Sequence, residues 1–195
     1  MDVYEKSLQL HANLRGKFEV HSLVEVKDKE SLSLAYTPGV AQPCREIAKD
    51  PEKAYTYTRK WNTVAVVSDG SAVLGLGNIG GLAGLPVMEG KAILFREFAG
   101  IDSIPIVLSG QDADDIVKAV EMIAPSFGGI NLEDICAPKC FEVERRLKEK
   151  LDIPVFHDDQ HGTAIVVAAA LMNALKLAGK QLSAANIVIW GGGRA

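Results

Sequence analysis

Val64-Ala65-Val66-Val67, Ala92-Ile93-Leu94-Phe95, Ile104-Pro105-Ile106-Val107-Leu108 and Pro154-Val155-Phe156 are short apolar runs, most of them rich in β-branched side chains, and each reads as a strand. Between and after them lie stretches with helical spacing, Ala113 to Ala124 and the charged Phe141 to Leu151. An opening helix over residues 2 to 15, with Val3, Leu8, Leu10 and Leu14 among charges, ends at Gly16. Strands alternating with helices predict the α/β class, with a mainly parallel sheet flanked by helices.

The last part of the chain reads differently. Gly162 to Leu177 has the composition of one buried helix, and Gly179-Lys180-Gln181-Leu182-Ser183 supplies a stop and a connector. A short β-branched run, Asn186-Ile187-Val188-Ile189-Trp190, then feeds into Gly191-Gly192-Gly193-Arg194-Ala195. We expect one domain over 1–160, with 161–195 a connecting helix and the first strand of a truncated Rossmann-type unit. Glycines after a strand let backbone N–H groups approach a pyrophosphate, which makes Gly191, Gly192, Gly193 and Arg194 candidate cofactor-binding residues. From the motif alone, a simple chain end is an equal alternative.

A second glycine signature, Gly75-Leu76-Gly77-Asn78-Ile79-Gly80, also fits G-x-G-x-x-G. Only Gly81 to Gly90, interrupted by Gly84 and Pro86, separates it from the run at Ala92. That leaves less room than a crossover helix needs, about a dozen residues, so a tight turn is the favoured reading.

Composition sets the class of chemistry. The 195 residues are 48% hydrophobic, enough for a sizeable core, and carry a formal charge of -4. Lys and Arg are scattered, so no nucleic-acid or membrane-surface partner is expected. The most apolar run, Ala164 to Leu177, is too short to span a bilayer, and no signal peptide is read at Met1 to Lys6. Three cysteines, Cys44, Cys136 and Cys140, suggest reduced thiols and a cytoplasmic setting.

Carboxylates gather at expected strand ends: Glu133-Asp134 after Gly128-Gly129-Ile130-Asn131-Leu132, and Asp158-Asp159 after Val155-Phe156-His157. The carboxyl ends of parallel strands converge on the crevice where such sheets bind ligands. Hard oxygen donors suit Mg²⁺ or Mn²⁺, although each acid taken singly also reads as a helix cap. His157 and His161, spaced as on metalloprotease helices, would need a helix to bind zinc together, and Pro154-Val155-Phe156 argues for a strand instead; exposed or hydrogen-bonded histidines are expected. Cys136 and Cys140 read as packing residues. Tyr36, in Leu34-Ala35-Tyr36-Thr37-Pro38-Gly39-Val40-Ala41, and Lys91, after Pro86-Val87-Met88-Glu89-Gly90, are candidate acid and base whose plain readings are a core ring and a solvated strand flank.

Taken together, the chain resembles the malic enzyme family in its shorter, prokaryotic-type branch. The strings that carry the resemblance are Leu34 to Ala41, Ser68-Asp69-Gly70-Ser71-Ala72-Val73-Leu74-Gly75-Leu76-Gly77-Asn78-Ile79-Gly80, Gly84-Leu85-Pro86-Val87-Met88-Glu89-Gly90-Lys91, Asn131-Leu132-Glu133-Asp134 and Phe156-His157-Asp158-Asp159-Gln160-His161-Gly162-Thr163-Ala164. They occur in family order across nearly the whole chain.

The resemblance implies oxidation and decarboxylation of malate to pyruvate and carbon dioxide, with NAD or NADP accepting hydride and a divalent cation required. It implies Glu133, Asp134 and Asp159 as ligands of Mg²⁺ or Mn²⁺, a neutral Lys91 taking the hydroxyl proton, Tyr36 protonating C3 of the enolate, and Asp158 orienting its neighbours. Thr163 would approach the cofactor. A homodimer or larger homo-oligomer is implied as well. The chain alone is expected to be inactive, with most of the nucleotide site lying elsewhere. One departure stands out: longer members place an arginine before the Leu-Gly-Leu-Gly segment, where Ser71-Ala72 stands here. An oxaloacetate decarboxylase, or a non-catalytic dicarboxylate-binding or oligomerisation domain, would use many of the same residues.

Overall fold

A computed structural model describes residues 2–189. Its centre is a four-stranded sheet, β1 (Thr63–Ser68), β2 (Asp102–Val107), β3 (Gly129–Leu132) and β4 (Val155–His157), in the order β2-β1-β3-β4 with every neighbouring pair parallel. The expected α/β class and parallel sheet are therefore found. Central strand β1 is apolar on both faces because both are covered, and Ala65, Val66 and Val67 are fully buried. Pro105 sits on β2 at the edge of the sheet, where a missing N–H costs least.

The N-terminal region comprises α1 (Val3–Leu14), α2 (Lys29–Ala35), α3 (Ala41–Lys49) and α4 (Ala54–Tyr57), none of which has a buried residue. Helix α1 starts at a capping box in which Asp2 and Glu5 bond each other's backbone N–H groups. Three crossover helices follow, α5 (Gly81–Ala99), α6 (Ala113–Ile123) and α7 (Lys139–Lys150), and a last helix, α8 (Thr163–Leu177), comes after the sheet. Helix α6 presents Ile116, Val117 and Val120, and α7 presents Cys140, Val143 and Leu147, to a core completed by Ala65, Val67, Ile130 and Leu132. Burial of Cys140 agrees with its expected packing role.

Several expectations are corrected. Ala92-Ile93-Leu94-Phe95 is not a strand but the last part of α5, so Lys91 stands on a helix rather than at a strand entrance. The buried positions of α5, Gly81, Gly84, Met88 and Ala92, recur every three to four residues and form the helix face laid on the sheet. A bulkier residue at Gly81 would drive a Cβ against the backbone of Leu108, and Gly84, which read as an interruption, is buried on the same helix face. The crossover helix that the spacing argued against is thus present, and Gly75 to Gly80 lies between a strand and a helix. It is also the expected tight turn: Val73 N–H bonds Gly77 O at 2.9 Å and the reverse bond is 2.8 Å.

Helix α8 forms as expected but is not buried, with Ile165, Val166 and Met172 all exposed. Asn186 to Ile189 is not in a strand, since no neighbouring strand pairs with it among the described residues. Trp190 and the candidate cofactor residues Gly191, Gly192, Gly193 and Arg194 lie outside the described residues.

Candidate active site

The strand order places the site. From β1 the chain crosses to β2 on one side and then returns to β3 on the other, so the connections diverge between β1 and β3. Parallel sheets bind ligands at such a switch point, outside the carboxyl ends of the strands. There β1 delivers Asp69 and Ser71, β3 delivers Glu133 and Asp134, β4 delivers Asp158 and Asp159, and α5 brings Lys91 across the opening.

Glu133 N–H donates to Val67 O at 2.9 Å, carrying the ladder one residue past β3, and Ala72 N–H donates to Asp134 O at 2.9 Å. Asp134 then takes φ 54°, in the left-handed region that Asp tolerates better than most residues, and the chain turns away. After β4, Asp158–Gly162 forms a five-residue π-helical turn ahead of α8. Such turns recur at functional sites.

These elements bring the carboxylates together. Glu133, Asp134 and Asp159 each offer an oxygen, and the three oxygens all lie within 4.8 Å of one another. Lys91 Nζ is 2.7 Å from Asp158 Oδ2 and 3.2 Å from Glu133 Oε1. Asp134 N–H donates to Asp159 Oδ2 at 3.0 Å, and Asn131 Nδ2 donates to Glu133 Oε2 at 2.9 Å. A cleft of about 700 Å³ opens on the group, and Lys91, Glu133, Asp134, Asp158 and Asp159 line it together with Lys17.

The electrostatics favour a cation. Burial, reinforced by Asp158 and Asp159 and only partly offset by Lys91 and Asn131, pushes Glu133 up to about 7. Burial and the nearby Asp159 push Asp134 up to about 6. Asp134 Oδ2 is buried without a hydrogen-bond donor among the described residues. An acceptor with no donor beside two further carboxylates fits a hard divalent ion, which requires anionic oxygen and supplies the missing positive charge.

At Lys91, burial and the neighbouring carboxylates act in opposite directions. Burial opposes its charge, but Asp158 and Glu133 outweigh burial and hold the ammonium above its ordinary value.

Tyr36 is not drawn into the group. It caps the C-terminus of α2, is 66% exposed, and does not line the cleft. The two histidines do not share a face: His157 is buried, where desolvation lowers its pKa, and His161 is half-exposed and bonds Glu144. His157 is therefore buried rather than exposed.

The sequence reading missed three supporting residues, of which Asn131 is the partner of Glu133. Asp69 is fully buried at the end of β1, ion-paired with Lys139 and accepting from Ser71 N–H at 3.0 Å and Ser71 Oγ at 2.6 Å. Glu144 is buried on α7. Its signal was present, because it falls on the apolar face set by Cys140, Val143 and Leu147, where an unpaired charge is costly.

Among known proteins, the family model of the malic enzyme N-terminal domain matches residues 15–113 and 108–148. The chain belongs to the malic enzyme family. It is 58% identical over all 195 residues to the bifunctional malic/malolactic enzyme of Bacillus subtilis, covering 100% of this chain and 48% of that one. It is 56% identical over 192 residues to the NADP-dependent malic enzyme of Halomonas elongata, covering 98% of this chain and 46% of that one. The crystal structure of malic enzyme from Pyrococcus horikoshii superimposes with a TM-score of 0.95 at 58% identity, over 100% of this chain and 46% of that one. The chain spans about half the length of these malic enzymes.

Proposed function

We propose that the chain supplies the cation-binding and proton-transfer side of malate oxidative decarboxylation to pyruvate and carbon dioxide, with NAD or NADP as hydride acceptor. The observation that carries this reading is Lys91 bridging Asp158 and Glu133, at 2.7 and 3.2 Å, beside three carboxylates whose oxygens lie within 4.8 Å of one another. Relatives named as NAD-dependent and as NADP-dependent malic enzymes both support a nicotinamide cofactor. Glu133, Asp134 and Asp159 would hold Mg²⁺ or Mn²⁺. When bound, such an ion polarises the ketone and stabilises the enolate left when carbon dioxide departs.

Lys91 would accept the C2 hydroxyl proton, which requires its neutral amine. Two carboxylates uphold its charge, and a Glu133 committed to a cation withdraws one of them while burial continues to oppose the charge. Asp158 then remains to orient the amine. Tyr36 is the proposed donor to C3, on the resemblance alone.

Unpaired Cys44, Cys136 and Cys140 are in keeping with a cytoplasmic setting. The exposed apolar residues of the N-terminal helices, Val3, Leu8, Leu14 and Leu34 among them, support a homodimer or larger homo-oligomer. The division into 1–160 and 161–195 is proposed on the same footing.

Malate-dependent reduction of NAD and NADP, measured at the full length of the relatives, tests the reading. Lys91→Ala and Asp159→Ala should each lower kcat/KM by about 10³-fold or more, and Tyr36→Phe should lower kcat. Wild-type turnover by the Lys91 or Asp159 variant overturns the proposal.

A further inference from the structure

Glu144 is the one acidic residue on the buried face of α7, and apart from Lys148 on its own helix its partners lie on one stretch of chain. Its Oε1 accepts from His157 N–H at 3.1 Å and from Lys148 Nζ at 2.8 Å. Its Oε2 lies 2.8 Å from His161 Nδ1, a hydrogen bond that a neutral imidazole carrying its proton on Nδ1 can donate. His157 and His161 are the residues immediately outside Asp158-Asp159-Gln160. One buried carboxylate therefore grips both ends of the turn that presents Asp158 to Lys91 and Asp159 to the acidic cluster.

The grip also links the two ligand-bearing segments. Helix α7 begins at Lys139, five residues after Asp134, so Glu144 belongs to the same stretch of chain that turns Glu133 and Asp134 into the cleft. Across the cleft, Asp134 N–H is held by Asp159 Oδ2 at 3.0 Å. From the front the turn is tied by Asp159, and from behind by Glu144. We propose that Glu144 is a positioning residue, which fixes the distance of Asp159 from Glu133 and Asp134 by anchoring His157 and His161 to α7. Its role in cation affinity rests on the metal reading above; its role in holding the turn does not.

The amide of Asp134 reports the position of Asp159, and Glu144 does not touch it. Hydrogen exchange by NMR on the 195-residue chain, with Glu144→Ala, Glu144→Gln and a control, Val143→Ala, separates positioning from plain stability. Val143 is fully buried in the core cluster, so its truncation lowers global stability without removing a hydrogen bond to the turn. Expected is Asp134 amide exchange at least about tenfold faster in Glu144→Ala than in Val143→Ala, since the loss of a hydrogen bond to a charged group is enough to change an opening equilibrium by roughly tenfold or more. Glu144→Gln, which keeps an acceptor for His157 N–H, should stay near wild type. Mn²⁺ affinity by electron paramagnetic resonance should fall about 10–100-fold in Glu144→Ala and recover in Glu144→Gln.

Unchanged Asp134 exchange in Glu144→Ala, or an equal rise in Val143→Ala, overturns the positioning role. A wild-type chain that does not bind Mn²⁺, while Glu144→Ala still frees the Asp134 amide, overturns the metal reading and leaves the positioning role supported.

Discussion

Lys91 Nζ lies 2.7 Å from Asp158 Oδ2, reaching across the switch point from α5 to the turn that follows β4. The ammonium also faces Glu133 at 3.2 Å, and it is the neighbour that most lowers the Glu133 pKa against burial. Removing it should leave Glu133 with burial and its carboxylate neighbours. Lys91→Ala is therefore expected to move the Glu133 titration above its value of about 7. A ¹³C carboxyl titration by NMR checks this, and a downward movement would contradict the arrangement described.

The acidic cluster predicts a particular pH dependence. Glu133 and Asp134 rise to about 7 and about 6, from ordinary values of 4.5 and 3.8. Between those limits the folded chain holds protons that the unfolded chain has lost, so its stability falls as pH rises from about 4 to 7. A divalent cation competes with those protons and relieves the repulsion once they leave. Mn²⁺ should therefore raise the Tm more at pH 8 than at pH 5. Equal shifts in calorimetry at the two pH values would count against Glu133 and Asp134 as the ligands.

The glycine loop makes a steric prediction. Gly70 has φ 65°, and a Cβ there would overlap the carbonyl of Gly80. Its own carbonyl accepts from Ile79 N–H at 3.1 Å and Gly80 N–H at 3.2 Å, closing the loop onto the start of α5. Gly70→Ala combines left-handed backbone strain with overpacking and should cost about 2–4 kcal/mol in urea unfolding. A loss below about 1 kcal/mol would show that the loop moves aside freely.

How much of this the sequence carried depends on which interactions are local. β1 and β4 were legible because buried parallel strands are continuous apolar runs, and Val64 to Val67 has no competing pattern. Ala92 to Phe95 was misread because a short apolar run has no period of its own; the evidence lay upstream, in Gly81, Gly84 and Met88 at helical steps. Gly84 looked like an interruption but sits against Val73 and Gly70, while Gly81 lets α5 approach the backbone of Leu108, just past β2. The apolar composition of α8 gave its helix correctly and its burial wrongly, since composition states what a helix can bury and not what covers it. At the site, strand-end position was enough to single out Glu133, Asp134, Asp158 and Asp159. Asn131, Glu144 and Asp69 act through contacts 2 to 70 residues away, and the longer of those appear only once the chain is folded.

The pair formed by Asp69 and Lys139 gives a final prediction, in which the two partners should not be equivalent. Asp69 is completely buried, while the Lys139 side chain keeps 17% of its surface exposed and also donates to Gln111 O at 2.6 Å. Lys139→Met would strand a fully desolvated carboxylate with only Ser71 as donor and a contact from Gln111 to its backbone, and should cost about 3–5 kcal/mol. Asp69→Asn keeps an acceptor for Ser71 and leaves Lys139 with some water and one carbonyl, so it should cost less, about 1–3 kcal/mol. Asp69→Asn combined with Lys139→Met removes both charges and should be close to the milder single variant, because no uncompensated ion remains. Urea unfolding of the three variants measures the coupling. An Asp69→Asn loss larger than that of Lys139→Met would mean that the carboxylate acts through its hydrogen bonds to Ser71, and through Ser71 on Cys136 N–H, rather than as the counter-ion of Lys139.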